Sequence, residues 1–171
     1  MRPGHRMIFV CALAGLLQGC GAVVVQGVRQ IYAALNTPDK ATGAALDQFG
    51  QYLQAQDLDR IGALLTPDAR WEDPGALLAG RDNILHHLQG CARKAGTLYE
   101  LRPTRTAVHG HRATQQGSIR QTGSAADGTA WQTEGHFAAE WSRTGQGPWL
   151  LARWTASLAP GGPADAGCNA R

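Results

Sequence analysis

The period of this sequence changes near residue 97, and that change restricts its fold more than any other feature. Before it, apolar residues fall three and four apart. Leu46, Phe49 and Leu53 make one helical stripe. It opens at Thr37-Pro38-Asp39, with Thr37 as cap and Pro38 in the first turn, and runs to about Ala55. Asp57 can cap a second, short helix with Leu58, Ile61, Leu64 and Leu65 inward. Residues 70–73 read as a short strand stopped by Pro74-Gly75. Residues 82–94 read as a third helix, with Gly96 past its end. Beyond that point four long strands are expected, at 98–108, 112–121, 129–142 and 149–158. The segments between them, His109-Gly110-His111, 123–128 and 144–148, have turn composition and hairpin length. Three helices followed by an antiparallel meander is an α+β order, best buried as a curved sheet with helices on one face.

The strand at 129–142 shows its two faces openly. Trp131, Thr133, Gly135, Phe137, Ala139 and Trp141 point one way, as a core or pocket wall. Gln132, Glu134, His136 and Glu140 point the other way, to water or to a second copy of the chain.

The amino terminus reads as an address. Arg2 and Arg6 precede an apolar run at 7–17, the plan of a secretory signal. Leu17-Gln18-Gly19-Cys20 then resembles the lipobox of bacterial lipoproteins. The resemblance implies cleavage after residue 19, lipid on Cys20 and attachment to a membrane, where two or more acyl chains hold stably. Gly21 is not the aspartate that retains such proteins at an inner membrane, so the expected place is the cell envelope, on an outer membrane facing the periplasm. Two other readings stand beside it: an uncleaved spanning helix over 7–25, and an ordinary secretory signal in which Cys20 is incidental. Losing Arg2 and Arg6 with the leader takes 16 Lys and Arg to 14, against 13 Asp and Glu, a net of +1. That balance speaks against a nucleic-acid partner. The expected layout is a leader at 1–19, a tether at 20–37, a domain at 38–159 and a disordered Gly/Pro/Ala tail at 160–171.

Of the other cysteines, Cys11 leaves with the leader. Cys91 shares helical spacing with Ile84 and Leu88 and reads as core, while Cys168 lies in the tail. A Cys91–Cys168 disulfide is allowed outside the cytoplasm but not required. No zinc-type spacing, phosphate-cradling loop or cofactor fingerprint occurs, so neither a metal nor a cofactor is expected. His86 and His87 are adjacent on a helix and cannot serve one site together. His109 and His111 lack a third ligand. The histidines read as surface residues.

The run DLDRIGALLTPDARWEDPGALLAGRDNI at 57–84 resembles the nuclear transport factor 2-like superfamily, which includes SnoaL-like and ketosteroid-isomerase-like proteins. WSRTGQGPWLLARWTAS at 141–157 resembles that family's last hairpin. The likeness spans 41–158. It implies a cone: three helices on a strongly curved, mostly antiparallel sheet around a pocket, often in homodimers that pair through the sheet. In ketosteroid isomerases the position of Asp73 supplies the general base, a carboxylate in an apolar cavity that shuttles a proton beside a carbonyl. The helper positions do not match, because Phe49 and Gly135 stand where that family has its tyrosine and protonated aspartate. Neither has a side-chain donor, and Tyr52 replaces Phe49 only in another helix register. Asp73-Pro74-Gly75 also reads simply as a turn.

Three functions follow, in this order. The first is a binding domain without catalysis, holding a small apolar molecule among Phe49, Tyr52, Trp71, Trp131, Thr133 and Phe137. The second is an isomerase or dehydratase using Asp73. The third is a protein-interaction module working through the outward sheet face.

Overall fold

A computed structural model describes residues 38–92, 97–125 and 127–159. The first helix, α1 (Pro38–Ala55), ends where the stripe predicts, with Leu46, Phe49 and Leu53 buried. The chain turns at Gln56, which takes a positive φ of 54°. Asp57 caps α2 (Leu58–Leu64) by accepting the Arg60 backbone N–H at 3.1 Å. Ile61 is buried beneath it.

The next stretch departs from expectation. Strand β1 (Leu65–Asp73) starts directly at the end of α2, so Leu65 is the first residue of a strand rather than the last inward residue of a helix. Pro74-Gly75 does not end the sheet there. Gly75 takes a φ of 104°, which only glycine adopts without strain, and the chain returns as β2 (Ala76–Ala79). Asp73 pairs with Ala76 across that turn and Arg70 with Ala79. The four-residue strand escaped notice because ALLA has neither alternation nor β-branched residues. Gly80, with φ of 89°, then leads into α3 (Arg81–Ala92). Its inward residues are Ile84 and Leu88.

The four long strands stand where the alternation puts them, as β3 (Leu98–His109), β4 (Arg112–Ser124), β5 (Ala130–Ser142) and β6 (Leu150–Leu158). The sheet order is β2-β1-β6-β5-β4-β3. Every neighbouring pair is antiparallel except β1 with β6. The fold is thus α+β, with three helices packed on a six-stranded, mostly antiparallel sheet, among the described residues.

Register shifts mark where strands bend: between Pro103 and Arg105 on β3, and between Glu140 and Trp141 on the β5–β6 pair. Two glycines permit close approach of neighbouring strands. A Cβ at Gly117 would stand 2.1 Å from the Arg102 carbonyl oxygen, and one at Gly135 only 1.8 Å from that of Ser157.

The inner sheet face and the helix stripes meet in one core. On β5, Thr133, Phe137, Ala139 and Trp141 are buried while Gln132, Glu134, His136 and Glu140 are exposed, as the alternation requires. No helix among the described residues is long and apolar enough to cross a membrane. The leader, Cys20, the tether, Thr37, Gly96, Cys168 and the tail lie outside the described residues. Cys91 falls on α3.

Candidate functional site

Asp73 is the last residue of β1, and alternation places it on the same face as Trp71. Trp71 is buried in the core, and its indole N–H donates to Oδ2 of Asp73 at 2.8 Å. Oδ1 of Asp73 is buried without a hydrogen-bond partner. The turn at Pro74-Gly75 and the short β2 swing α3 back over this strand end. The Gly80 N–H bonds to the Ala69 carbonyl at 2.8 Å, and an Arg81 guanidinium nitrogen to that of Leu65 at 2.5 Å. These two bonds tie the start of α3 to β1.

That docking brings His87 to the site. Its Nε2 lies 3.9 Å from Oδ2 of Asp73, and the two side chains are only 10% and 18% exposed. His87 is therefore not the surface residue expected from the sequence. It stands three residues after Ile84 and one before Leu88, on the stripe that α3 buries. That spacing was the available signal. His86, by contrast, is exposed.

The third group is Tyr99, half-buried near the start of β3. Its own carbonyl accepts from Nε2 of Gln54 at 3.4 Å, which links β3 to α1. Burial pushes the Tyr99 phenol above its ordinary value, and the nearby Asp73 charge pushes it further. Burial likewise holds the Asp73 carboxyl above the usual carboxylate value, against the opposing effects of the Trp71 hydrogen bond, the His87 charge and the Ala76 backbone N–H. An imidazole and a phenol from two other elements thus each act on the Asp73 carboxyl. Phe49 and Gly135 carry no donor, but His87 and Tyr99 both do. Tyr99 was missed because nothing in the local sequence distinguishes it from an ordinary strand aromatic.

The other expected ligand-binding residues do not gather at Asp73. Phe49, Trp71 and Phe137 pack with Trp154 into an aromatic stack. Trp154 stands 5.1 Å from Phe49, 5.6 Å from Trp71 and 5.2 Å from Phe137, between ring centroids. Their ring faces are spent on each other. Tyr52 is half-buried with the Arg60 guanidinium 5.5 Å above its ring. Thr133 is buried and donates to the Ala159 carbonyl at 2.7 Å. Trp131 lies across Gly123 and lines a depression of about 480 Å³ with Leu98, Thr122 and Ala130.

The outward sheet face is a charge lattice. Arg120 Nε bonds to Glu134 at 2.8 Å and also approaches Glu100, which pairs with Arg102. Glu140 faces Arg153 at 3.6 Å. Among the described residues no cluster of three or more His, Cys, Asp or Glu side chains could hold a metal ion.

A family model described as a SnoaL-like domain matches residues 28–166. No curated protein matches the chain. Solved structures do. A ketosteroid isomerase-like protein from Erwinia carotovora atroseptica SCRI1043 superposes with a TM-score of 0.63 at 16% identity, covering 72% of this chain and 97% of that one. A nuclear transport factor 2-like superfamily protein from Salmonella enterica serovar Typhimurium LT2 gives 0.62 at 18% identity, covering 75% and 93%. A scytalone dehydratase-like protein from Novosphingobium aromaticivorans DSM 12444 gives 0.63 at 13% identity, covering 72% and 85%. At these identities the likeness is one of fold.

Proposed function

The chain belongs to the SnoaL-like domain family, and from that premise we propose that its domain holds a small organic molecule against Asp73 and moves a proton on it. One observation carries this reading: Asp73 sits in a largely buried setting 3.9 Å from His87, with Tyr99 within electrostatic reach. A largely buried carboxyl with a raised affinity for protons suits a proton shuttle. His87 and Tyr99 supply donors for the charge that such a transfer leaves on the ligand. The stack of Phe49, Trp71, Phe137 and Trp154 supports the site from beneath and leaves those rings little free surface for an apolar guest. That is why chemistry at Asp73 now stands ahead of simple apolar binding. The structural neighbours include isomerase-like and dehydratase-like proteins, which agrees with the same class.

Asp73→Asn tests the reading. Asn can still accept the Trp71 N–H, so the variant should fold. With enolisable ketones in deuterated water, the wild-type protein should speed carbon-bound hydrogen exchange, and the variant should lose that rate by about a hundredfold or more. If the wild type binds such compounds without speeding exchange, the chemistry is wrong and the non-catalytic binding domain remains.

We also propose that the chain is a lipoprotein held at the cell envelope through Cys20, with the domain displayed on an outer membrane. The basic, apolar and Leu-Gln-Gly-Cys segments in series support this. Cys20→Ser should abolish labelling by a fatty-acid analogue in the native host. Persistent labelling would sink the anchor.

A further inference from the structure

Trp71 has one polar atom, and the fold aims it at Asp73. The indole cannot swing away, because Trp154 stacks on it at 5.6 Å and Phe49 meets it edge-on at 6.1 Å. Its N–H reaches Oδ2 at 2.8 Å, and the His87 Nε2 approaches that same oxygen at 3.9 Å. That second distance is too long for a hydrogen bond but short enough for charge to be felt. Oδ1, on the far side, has no hydrogen-bond partner. The Ala76 backbone N–H also favours the charged carboxyl and the Tyr99 phenol feels its charge, but among the described residues the side-chain hydrogen bond to it is that of Trp71. An indole N–H can only donate, so it favours the carboxylate over the acid.

We propose that Trp71 is a positioning residue whose clamped N–H holds Asp73 as a carboxylate facing His87, turned to take a proton from a ligand. This rests on the reading of Asp73 as the proton-exchanging group. It gives each partner one task. Asp73 takes a proton from the ligand: the ligand's C–H bond breaks, its electron pair stays on the ligand, and an O–H bond forms on Asp73. The His87 imidazolium gives its N–H proton to the ligand atom on which that pair accumulates. The pair resets when one proton passes from Asp73 back to His87. It holds one proton before and after, so no outside co-reactant is consumed. A ligand class that fits is a carbonyl compound with an acidic neighbouring C–H, isomerised through its enol.

Trp71→Phe keeps a ring in the stack and removes the N–H. In the full chain, ¹³C NMR of the Asp73 carboxyl and ¹⁵N NMR of the His87 ring should follow the pair through a pH titration without ligand. The expected result is that the carboxyl midpoint rises and the imidazole midpoint falls in the variant. Two unmoved midpoints in a folded variant would overturn the proposal, as would a carboxyl midpoint that falls. Should Trp71→Phe fail to fold, benzothienylalanine at position 71 keeps the bicyclic shape without the N–H, and the same shifts are expected. The two readings separate cleanly. Shifted midpoints with no effect of Asp73→Asn on exchange would spare Trp71's role and sink the catalytic one. Lost exchange in Asp73→Asn with unmoved midpoints would do the reverse.

Discussion

Nε2 of His87 and Oδ2 of Asp73 lie 3.9 Å apart although they belong to a helix and a strand end. A single short excursion joins them. The turn at Gly75 reverses the chain, β2 runs back along β1, and Gly80 releases it into α3. The hairpin thus does what a turn at Asp73-Pro74-Gly75 alone would not. It folds the helix over the carboxyl and removes most of its water. The turn role and the proposed chemical role of Asp73 are not alternatives, since the turn creates the burial on which that proposal depends.

That burial should be visible in stability. The folded-state affinity of Asp73 for protons is raised, chiefly by desolvation. Below the ordinary value of 3.8 the carboxyl is protonated in both states and contributes nothing. As pH rises from there toward the raised folded value, the unfolded chain ionises first and the folded state holds the extra proton. Stability is therefore lost through that window, and the loss stays constant above it. Asp73→Asn should abolish this contribution. Urea unfolding of both proteins across the acid range should show the variant gaining on the wild type as pH rises. A constant difference would mean that folding does not raise the proton affinity of Asp73.

Trp154 is the centre of the aromatic stack, in contact with Phe49, Trp71 and Phe137. It is 2% exposed, so Trp154→Ala opens a cavity that these rings cannot close. The expected loss is about 3–5 kcal/mol in chemical unfolding. Trp71 would lose one side of its clamp, so proton exchange at Asp73 should also suffer, by more than in any variant of Tyr52. A Tyr52→Phe variant should leave both stability and exchange nearly unchanged, because it keeps the ring that lies under Arg60.

The sequence carried the architecture well, because long strands such as Ala130–Ser142 alternate without interruption and α1 keeps a full apolar stripe. The short β2 did not announce itself, since four residues offer too little pattern. The site was half legible. Asp73 and Trp71 share a strand, and their common face follows from a period of two. His87 and Tyr99 reach them from α3 and β3, and no local pattern states which residues meet across such distances. The aromatic residues misled for a related reason: hydrophobic character marks a side chain as inward, but not whether its neighbour is a ligand or another ring.

Thr133 illustrates how an inward polar residue can be structural. Its hydroxyl donates to the Ala159 carbonyl at 2.7 Å, fastening the chain just beyond β6 to β5. Thr133→Val keeps the shape and leaves that carbonyl without this partner. The expected cost is about 1 kcal/mol, with faster amide exchange at Leu158 and Ala159. Ligand binding that fell while those amides stayed protected would show instead that the hydroxyl faces the ligand.

Gly135 tests the resemblance to ketosteroid isomerases, which implies an aspartate at this position. Restoring that residue looks like a route to a stronger donor set. The backbone forbids it. A Cβ here would sit 1.8 Å from the Ser157 carbonyl oxygen and 2.9 Å from Cα of Leu158. Both are main-chain atoms of the paired strand, Leu158 opposite Gly135 and Ser157 opposite His136 in the β5–β6 ladder, so neither can rotate aside. Relief requires parting β5 from β6. Gly135→Ala should therefore destabilise by about 1–3 kcal/mol or more, and Gly135→Asp by more still, because it adds a charge to the same clash. Thermal unfolding monitored by circular dichroism checks both. If Gly135→Asp melts with the wild type, β5 and β6 do not approach this closely at Gly135.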